Sequence, residues 1–187
     1  EADLYLSKRN KVLCSYNETA RYYDEDVLIH LNSDMGTDET FVDPLVEVFL
    51  RDPSAFLAAP HGDRALPVFH FGVLSATLSY PDSERRIGEA GFTLSAGIGA
   101  FDRKKFIELG GYDELYLPGY YEDLDLCFRA WKAGYRCHHV PESKRDHEGS
   151  ASFKKKYGRI GVQIMSNRNG FLFMVKNIKD PALLALF

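Results

Sequence analysis

Short apolar runs and helix-like patterns alternate along the chain, which predicts a fold of alternating strands and helices. Val27 to Leu31 is a mostly aliphatic run with β-branched residues at two positions, as is typical of a buried strand. The apolar residues of Phe41 to Leu50 recur at helical spacing, and Ala55 to Ala59 is a second apolar run that ends at a proline. The simplest interpretation of residues 27–59 is therefore strand, helix, strand.

The flanking segments show less regular patterns. Residues 4–23 are expected to form a short strand, a turn and a polar helix over Tyr16 to Tyr23. Val68 to Tyr80 is a candidate for one further strand, although its aromatic residues alternate imperfectly. Arg103 to Leu109 predicts a brief helix, because two glycines follow it and helices commonly end at glycine.

The C-terminal segment, Phe153 to Val175, predicts a helix that is interrupted near Gly170. It begins with three consecutive lysines and continues with apolar residues. Two environments are open for such a helix, namely packing on the rest of the domain or contact with a membrane surface. Packing is the simpler interpretation.

The stretch from Gly119 to Ser152 holds the densest group of candidate functional residues. Glu122 and Asp123 begin an amphipathic helix, and a strand-like run, Tyr135 to Val140, separates them from His147. Acidic residues at a helix start also satisfy unpaired N–H groups and complement the helix dipole, so plain capping is an alternative. A histidine in a polar loop is often only a solvated side chain. The pattern therefore needs support from elsewhere in the chain.

Composition excludes some classes of protein. With 187 residues, 45% of them hydrophobic, the chain suits one compact domain with a proper core. A net charge of -4 gives no reason to expect a nucleic-acid partner. Three cysteines without a C-x-x-C pair suggest neither a disulfide framework nor a zinc knuckle, and favour the cytoplasm or the cytosolic face of a membrane.

Two motifs make the chain resemble a family-2 glycosyltransferase. In the first, a strand ends in LNSD (Leu31 to Asp34) and a helix and Asp52-Pro53 follow, which is similar to the family's DxD-type signature. The second runs from Gly97 to Ser152, where GAFDRKKFIELGGYDE, YEDLDLCFRAWKAGYR, VPES and H-x-G-S match the second half of the domain in order and spacing. The resemblance covers about residues 10–175 and rests mainly on the second motif.

The resemblance implies an α/β fold of the GT-A-like (Rossmann-like) type, a mixed sheet flanked by helices. It implies a partial GT-A domain over residues 1–152, with a helical extension over 153–187 packed on it. Family members begin with a strand, a helix and a strand that hold the nucleotide's base and ribose. We expect this chain to start after that unit, so that it carries only part of the donor site.

The same resemblance implies transfer of a sugar from a nucleotide-diphosphate donor to an acceptor hydroxyl, with inversion and with Mn²⁺ or Mg²⁺. A divalent cation stabilises the charge that develops on the leaving diphosphate. The implied metal ligands are Asp34 and His147, and an imidazole nitrogen suits Mn²⁺ better than Mg²⁺. Asn32 stands where many members carry aspartate, so the metal is expected to depend mainly on Asp34.

The carboxylate pair receives its role from the resemblance as well. Asp123 is the implied general base for the acceptor hydroxyl, and Glu122 would orient the acceptor or support the base, although the two roles could be exchanged. Small residues let a ligand approach the backbone closely, and a basic side chain suits a diphosphate. The residues expected to bind donor or acceptor are Asn32, Gly97, Gly99 and Arg145.

Two other functions stay open. A non-catalytic carbohydrate- or protein-binding module of transferase-like fold would keep the sheet without turnover. A nucleotidyltransferase also uses acidic metal ligands on an α/β sheet, but normally has a glycine-rich, basic phosphate loop near its start. The expected partners are a nucleotide-sugar donor and a glycan, lipid-linked or protein acceptor, with no nucleic acid. Peripheral membrane contact and homo-oligomerisation are also open.

Overall fold

The computed structural model describes residues 4–32, 35–61, 65–70, 73–78, 93, 97–147 and 151–185. For residues 65–70, 73–78, 145–147, 151–152 and 183 it describes the backbone alone. The predicted metal ligand Asp34 lies outside the described residues.

Helices and strands alternate along the described chain. The strands are β1 (Val27–His30), β2 (Met35–Thr37), β3 (Ala55–Pro60), β4 (Ala65–His70), β5 (Val73–Leu78), β6 (Gly99–Asp102), β7 (Arg136–Val140) and β8 (Arg145–His147). The α-helices are α1 (Tyr16–Tyr22), α2 (Val42–Arg51), α3 (Arg103–Glu108), α4 (Glu122–Lys132), α5 (Ala151–Asn177) and α6 (Pro181–Ala185). Two 3-10 helices lie at Val12–Ser15 and Glu114–Tyr116.

The main sheet of the described chain has four strands in the order β1-β6-β3-β7. β6 is antiparallel to both of its neighbours, whereas β3 and β7 are parallel. β1, β3 and β7 therefore end at the same edge of the sheet, which we call the carboxyl edge. A short turn joins α4 to β7, so α4 runs back along the sheet and begins near that edge.

Helices cover both faces of this sheet. Ala58 and Ala100 pack in one cluster with Phe41 and Leu45, at the start and centre of α2. Their neighbours along the strands, Leu57, Ala59 and Phe101, belong to a second cluster with residues of α1, α3 and α4. Every residue of β3 is buried, because successive side chains point to opposite faces and both faces are covered. The predicted mixed sheet flanked by helices is confirmed.

Several predicted elements are confirmed and two are wrong. The strands and helix of residues 27–59, the helix after Asp102, and the helix and strand of residues 122–140 form as expected. No strand forms within residues 4–10, where the backbone is irregular. Val68 to Tyr80 is not one strand, because β4 and β5 pair antiparallel, with His70 opposite Val73. Pairing satisfies the backbone groups of both strands, and the aromatic pattern does not mark the turn between them.

The C-terminal helix is confirmed, but its interruption lies at Gly158 and not at Gly170. Gly158 has φ 67° and ψ 172°, a conformation that favours glycine and breaks the helix. Gly170 stays helical, because α5 packs closely on the rest of the domain there. Among the described helices, none has the length and apolar character needed to cross a bilayer.

A buried carboxylate joins α4 to α5. Asp125 has no exposed surface, and its Oδ1 accepts hydrogen bonds from the Tyr116 hydroxyl at 3.0 Å and from Asn177 Nδ2 at 2.7 Å. Its Oδ2 accepts from Arg129 Nε at 2.8 Å, and Lys176 Nζ lies 2.9 Å from both oxygens. Both oxygens are therefore fully engaged by groups on two helices and on the turn before them.

Lys176 and Arg129 also contact groups other than the Asp125 carboxylate. Lys176 also contacts Asp113 at 2.7 Å, and Arg129 donates to the carbonyl of Gly111 at 2.7 Å and to that of Leu109. An apolar cluster lies beside these polar contacts, formed by Tyr116, Leu124, Phe128, Phe173, Met174 and Ile178. Polar and apolar contacts thus fix α5 against α4 together.

We predict that Asp125→Asn lowers the free energy of unfolding by about 3–5 kcal/mol, because it leaves Lys176 and Arg129 without their buried counter-charge. Urea unfolding at pH 7 measures this loss. Asp26→Asn is the control, because its ion pair with Lys104 is largely exposed and such pairs contribute about 0–1 kcal/mol. Equal losses in the two variants would show that the Asp125 network does not hold α5 in place.

Candidate active site

The carboxylate pair follows a strained turn. Tyr120 and Tyr121 have φ values of 73° and 74°, in the left-handed region that non-glycine residues rarely adopt. Each such residue costs on the order of 1–3 kcal/mol and persists only where surrounding contacts impose it. α4 begins at the next residue, Glu122, so the turn sets the direction in which the pair enters the helix.

A buried amide side chain of α5 hydrogen-bonds to this turn. Asn169 is fully buried, and its Nδ2 donates to the carbonyls of Tyr116 at 2.7 Å, Gly119 at 2.8 Å and Tyr120 at 2.9 Å. The amide has two hydrogens, so it shares them among three acceptors. The Tyr116 carbonyl also accepts from the backbone N–H of Gly119 at 2.9 Å, so Asn169 adds to the hydrogen bonds that fix the turn.

Two glycines let α5 approach the turn. A side chain at Gly119 would start 2.8 Å from the ring of Phe153, and one at Gly170 would start 2.9 Å from the Tyr121 hydroxyl. Both distances are shorter than real Cβ contacts. The small residues thus permit the close packing from which Asn169 reaches the carbonyls.

Glu122 is buried without a hydrogen-bond partner for one of its oxygens. Its relative exposure is 8%, and Oε2 lacks a partner among the described residues. Burial raises the pKa of Glu122 to about 8, and the negative charge of Asp123 adds to the rise. Glu122 is therefore mostly protonated at neutral pH.

The surroundings of Glu122 explain why water does not lower this pKa. A narrow gap beside it, with about 140 Å³ of empty volume, is lined mainly by Leu13, Cys14, Leu117 and Pro118. Burial raises the pKa of the Cys14 thiol to about 12, and the charge of Glu122 contributes to that shift. The carboxyl group thus faces a mainly apolar environment, although Lys11 also lines the gap.

Asp123 is more accessible than its neighbour. It is half-buried, and its Oδ1 accepts a hydrogen bond from the backbone N–H of Leu124 at 2.8 Å. This contact is the helix-start role that the sequence left open as an alternative. It occupies one oxygen of the carboxylate, so capping and a role in a reaction are compatible.

The pair lies near the carboxyl edge of the sheet. The Tyr112 hydroxyl lies 3.3 Å from Nδ1 of His30, the last residue of β1. Burial raises the pKa of Tyr112, and the charges of Asp123 and Glu122 raise it further. Tyr112 is thus close both to the pair and to the end of β1, where Asn32 follows.

Backbone pairing places one predicted metal ligand, His147, opposite a chain neighbour of the other. β2 pairs antiparallel with β8, with Met35 opposite His147 and Thr37 opposite Arg145. Asp34 immediately precedes Met35, so the pairing sets His147 opposite the neighbour of Asp34. The side chains of Arg145 and His147 are not described, and their roles stay predictions. Among the described side chains, no group of three or more His, Cys, Asp or Glu is arranged to hold a metal ion.

The residues predicted to bind donor or acceptor have structural roles as well. Asn32 is half-buried, and its carbonyl accepts from the N–H of Met35 at 3.2 Å. Gly99 has φ 137°, and a Cβ there would lie 2.5 Å from the Ala58 carbonyl oxygen, so β6 and β3 require glycine. A Cβ at Gly97 would lie 2.8 Å from Leu13. Their ligand contacts stay predictions.

Asn169 and Asp125, which fix the candidate site, are not among the residues predicted from the sequence. The sequence does contain a signal, because Asn169 and Gly170 form an Asn-Gly pair inside a helical pattern, where both residues are unfavourable. Such a pair indicates a tertiary contact. Asp125 is hidden by the neighbouring carboxylates, since three acidic residues at a helix start look like ordinary capping.

Comparisons with known proteins agree with this geometry. No protein-family model matches the chain. The chain is similar to a probable N-acetylgalactosaminyltransferase 9 of Caenorhabditis elegans, with 28% identity over 141 residues, 65% of this chain and 24% of that protein. The structure of this chain is similar to the crystal structure of GalNAc-T7 with UDP, GalNAc and Mn²⁺, with a TM-score of 0.59 and 20% identity. The match covers 75% of this chain and 31% of GalNAc-T7.

The chain has a GT-A fold. The mixed sheet with helices on both faces and the match to GalNAc-T7 agree on it. In sequence the chain is glycosyltransferase-like, and it spans about a quarter to a third of the proteins that it matches. Neither comparison confirms the narrower assignment to family 2, which stays a prediction.

We predict that Glu122→Gln removes a pH dependence of stability. The pKa of Glu122 rises from 4.5 to about 8 on folding, so the folded state holds the extra proton between these values. Wild-type stability therefore falls as pH rises through this window and levels off above about 8. Between about pH 6.5 and 8.5 the expected loss is roughly 2 kcal/mol, measured by urea unfolding.

The glutamine variant should show little slope over the same range, because it cannot ionise. Glu114→Gln is the matched control, since Glu114 is exposed, and it should keep the wild-type slope. Parallel curves for wild type and Glu122→Gln would contradict the buried, protonated state of Glu122.

Proposed function

We propose that the chain forms the acceptor and base part of a glycosyltransferase that moves a sugar from a nucleoside-diphosphate sugar to a hydroxyl group. The observation that supports this most is the pairing of β2 with β8, which sets His147 opposite the neighbour of Asp34. In the same GT-A fold, the helix that begins near the carboxyl edge starts with Glu122 and Asp123. Metal ligands and a base at one edge are what this transfer requires.

The two carboxylates differ in a way that divides their roles. Glu122 is buried and keeps its proton near neutral pH, so it supports the base and does not contact the acceptor directly. Asp123 is the more accessible of the two and serves as the general base. The acceptor oxygen bonds to the anomeric carbon while the bond from that carbon to the diphosphate oxygen breaks, and the hydroxyl proton passes to Asp123. Displacement of this kind inverts the anomeric centre.

The ligands proposed for the metal ion suit Mn²⁺. Asp34 offers carboxylate oxygens and His147 an imidazole nitrogen, a mixed set that Mg²⁺ accepts less readily. Asn32 adds a neutral oxygen without charge. The ion, when bound, neutralises charge on the leaving diphosphate. Arg145, on the same strand as His147, is proposed to contact the diphosphate as well.

The relatives guide the choice of donor. One is named as a probable N-acetylgalactosaminyltransferase, and the other was solved with UDP, GalNAc and Mn²⁺. We therefore propose a UDP-sugar as the donor, with UDP-N-acetylgalactosamine tested first. The acceptor is a hydroxyl of a glycan, of a lipid-linked sugar or of a protein.

We predict that Asp123→Asn lowers kcat about 10²–10⁴-fold, because the amide cannot take the acceptor's proton. The donor's KM should change little. The assay uses a protein that contains this chain together with the expected nucleotide-binding unit, and it measures release of UDP from a panel of UDP-sugars with Mn²⁺, with and without EDTA. Asp43→Asn is the matched control, an exposed aspartate in the first turn of α2, and should leave kcat unchanged.

The anomeric configuration of the product, measured by proton NMR, tests the base role separately. Inversion is expected. Retention would contradict direct displacement with Asp123 as base, although it would leave sugar transfer intact. If a protein that contains this chain together with the expected nucleotide-binding unit turns over no nucleotide sugar with Mn²⁺, the transferase proposal fails and a binding module is favoured.

A further inference from the structure

Positive charge is concentrated in one segment of this acidic chain. Residues 149–179 contain seven lysines and arginines and no aspartate or glutamate. The rest of the chain has 16 basic and 27 acidic residues. The segment corresponds to α5 and its immediate flanks, and of its seven cations Lys176 is paired with Asp113 and Asp125.

The outer face of α5 is apolar as well as basic. Beyond the kink at Gly158, Ile160, Ile164, Phe171 and Val175 are 77%, 64%, 54% and 53% exposed. Their spacing of four, seven and four residues places them within a sector of roughly 60° on a helix. We call these four residues the apolar stripe. It extends for about 22 Å along the helix axis.

The inner face of the same helix is already occupied. Asn169 and Gly170 contact the turn before α4, and Phe173 and Met174 belong to the apolar cluster beside it. The stripe lies outside these contacts, and each of its four side chains keeps more than half of its surface exposed. Four large apolar side chains in a row on an exposed helix face indicate an interaction surface.

Charge determines what fits this surface. Lys154, Lys155 and Lys156 are exposed and adjoin the start of the stripe, and Arg168 is exposed at its centre. A helix with an apolar stripe and basic flanks matches a membrane surface that has anionic headgroups above acyl chains. A second copy of the chain fits less well, because symmetric pairing through the stripe would bring two basic segments together.

We propose that α5 docks the domain on an anionic phospholipid surface, with the apolar stripe at the boundary of the acyl chains and the lysines among the headgroups. The acidic remainder of the chain would be repelled from the same surface, which favours one orientation. This proposal does not depend on the proposed transferase activity.

Flotation of the chain with lipid vesicles tests the proposal. Vesicles of phosphatidylcholine with one quarter phosphatidylglycerol should bind the chain at low salt. Vesicles of phosphatidylcholine alone should bind at least tenfold less, and so should the anionic vesicles at 0.5 M salt, where screening is short-ranged.

Two variants separate the two parts of the surface. The triple variant K154Q/K155Q/K156Q should bind anionic vesicles roughly a hundredfold more weakly, since each basic residue contributes about fivefold. Ile160→Ser with Ile164→Ser should weaken binding at least about tenfold, because it removes apolar contact. Leu50→Ser is the matched control, an 81% exposed leucine at the end of α2, and should bind as wild type. Circular dichroism and thermal melts establish that each variant is folded.

Three outcomes would overturn the proposal. The first is no binding to anionic vesicles, and the second is equal binding to both kinds of vesicle. The third is a concentration-dependent dimer in sedimentation velocity that the stripe variants abolish, without vesicle binding by the wild type. That result would assign the stripe to a second copy of the chain.

Discussion

The buried charge of Asp125 is the interaction on which the position of the candidate site depends. A carboxylate without exposed surface is tolerated only when its oxygens are satisfied, and groups from α4, α5 and the preceding turn satisfy them here. α4 therefore keeps Asp125 in the core only while α5 is docked. Docked α5 places Asn169 against three carbonyls of the strained turn, and that turn buries Glu122 at the start of α4.

One helix thus connects two surfaces with different chemistry. The inner face of α5 shapes the environment of the carboxylate pair through Asn169 and Gly170. Its outer face carries the apolar stripe and the exposed lysines. Contact of the outer face with a membrane would stabilise the docked helix, and so would favour the arrangement in which Glu122 is buried and protonated.

The sequence predicted what depends on local periodicity and missed what depends on distant contacts. Strands and helices of residues 27–59 and 122–140 have clear patterns, and they form as expected. The pairing of Met35 with His147 cannot be predicted from the sequence, because strands of three residues are too short to show a periodic pattern. The helix breaks at Gly158, which has a left-handed backbone, whereas Gly170 lies close to Tyr121, a contact that only the packed structure shows. The sequence identified Glu122 as a candidate site residue. Its protonation could not be predicted, because its pKa depends on a turn that contacts a helix later in the chain.

The pKa of the Glu122 carboxyl group, measured by ¹³C NMR in wild type and in Asn169→Ala, tests the account most directly. In wild type the pKa should lie near 8. In the variant the turn loses the amide that holds three carbonyls, water reaches the carboxyl group, and the pKa should fall towards 4.5. The same raised pKa in both proteins would show that α5 does not control the pair. A wild-type pKa near 4.5 would contradict the buried site itself.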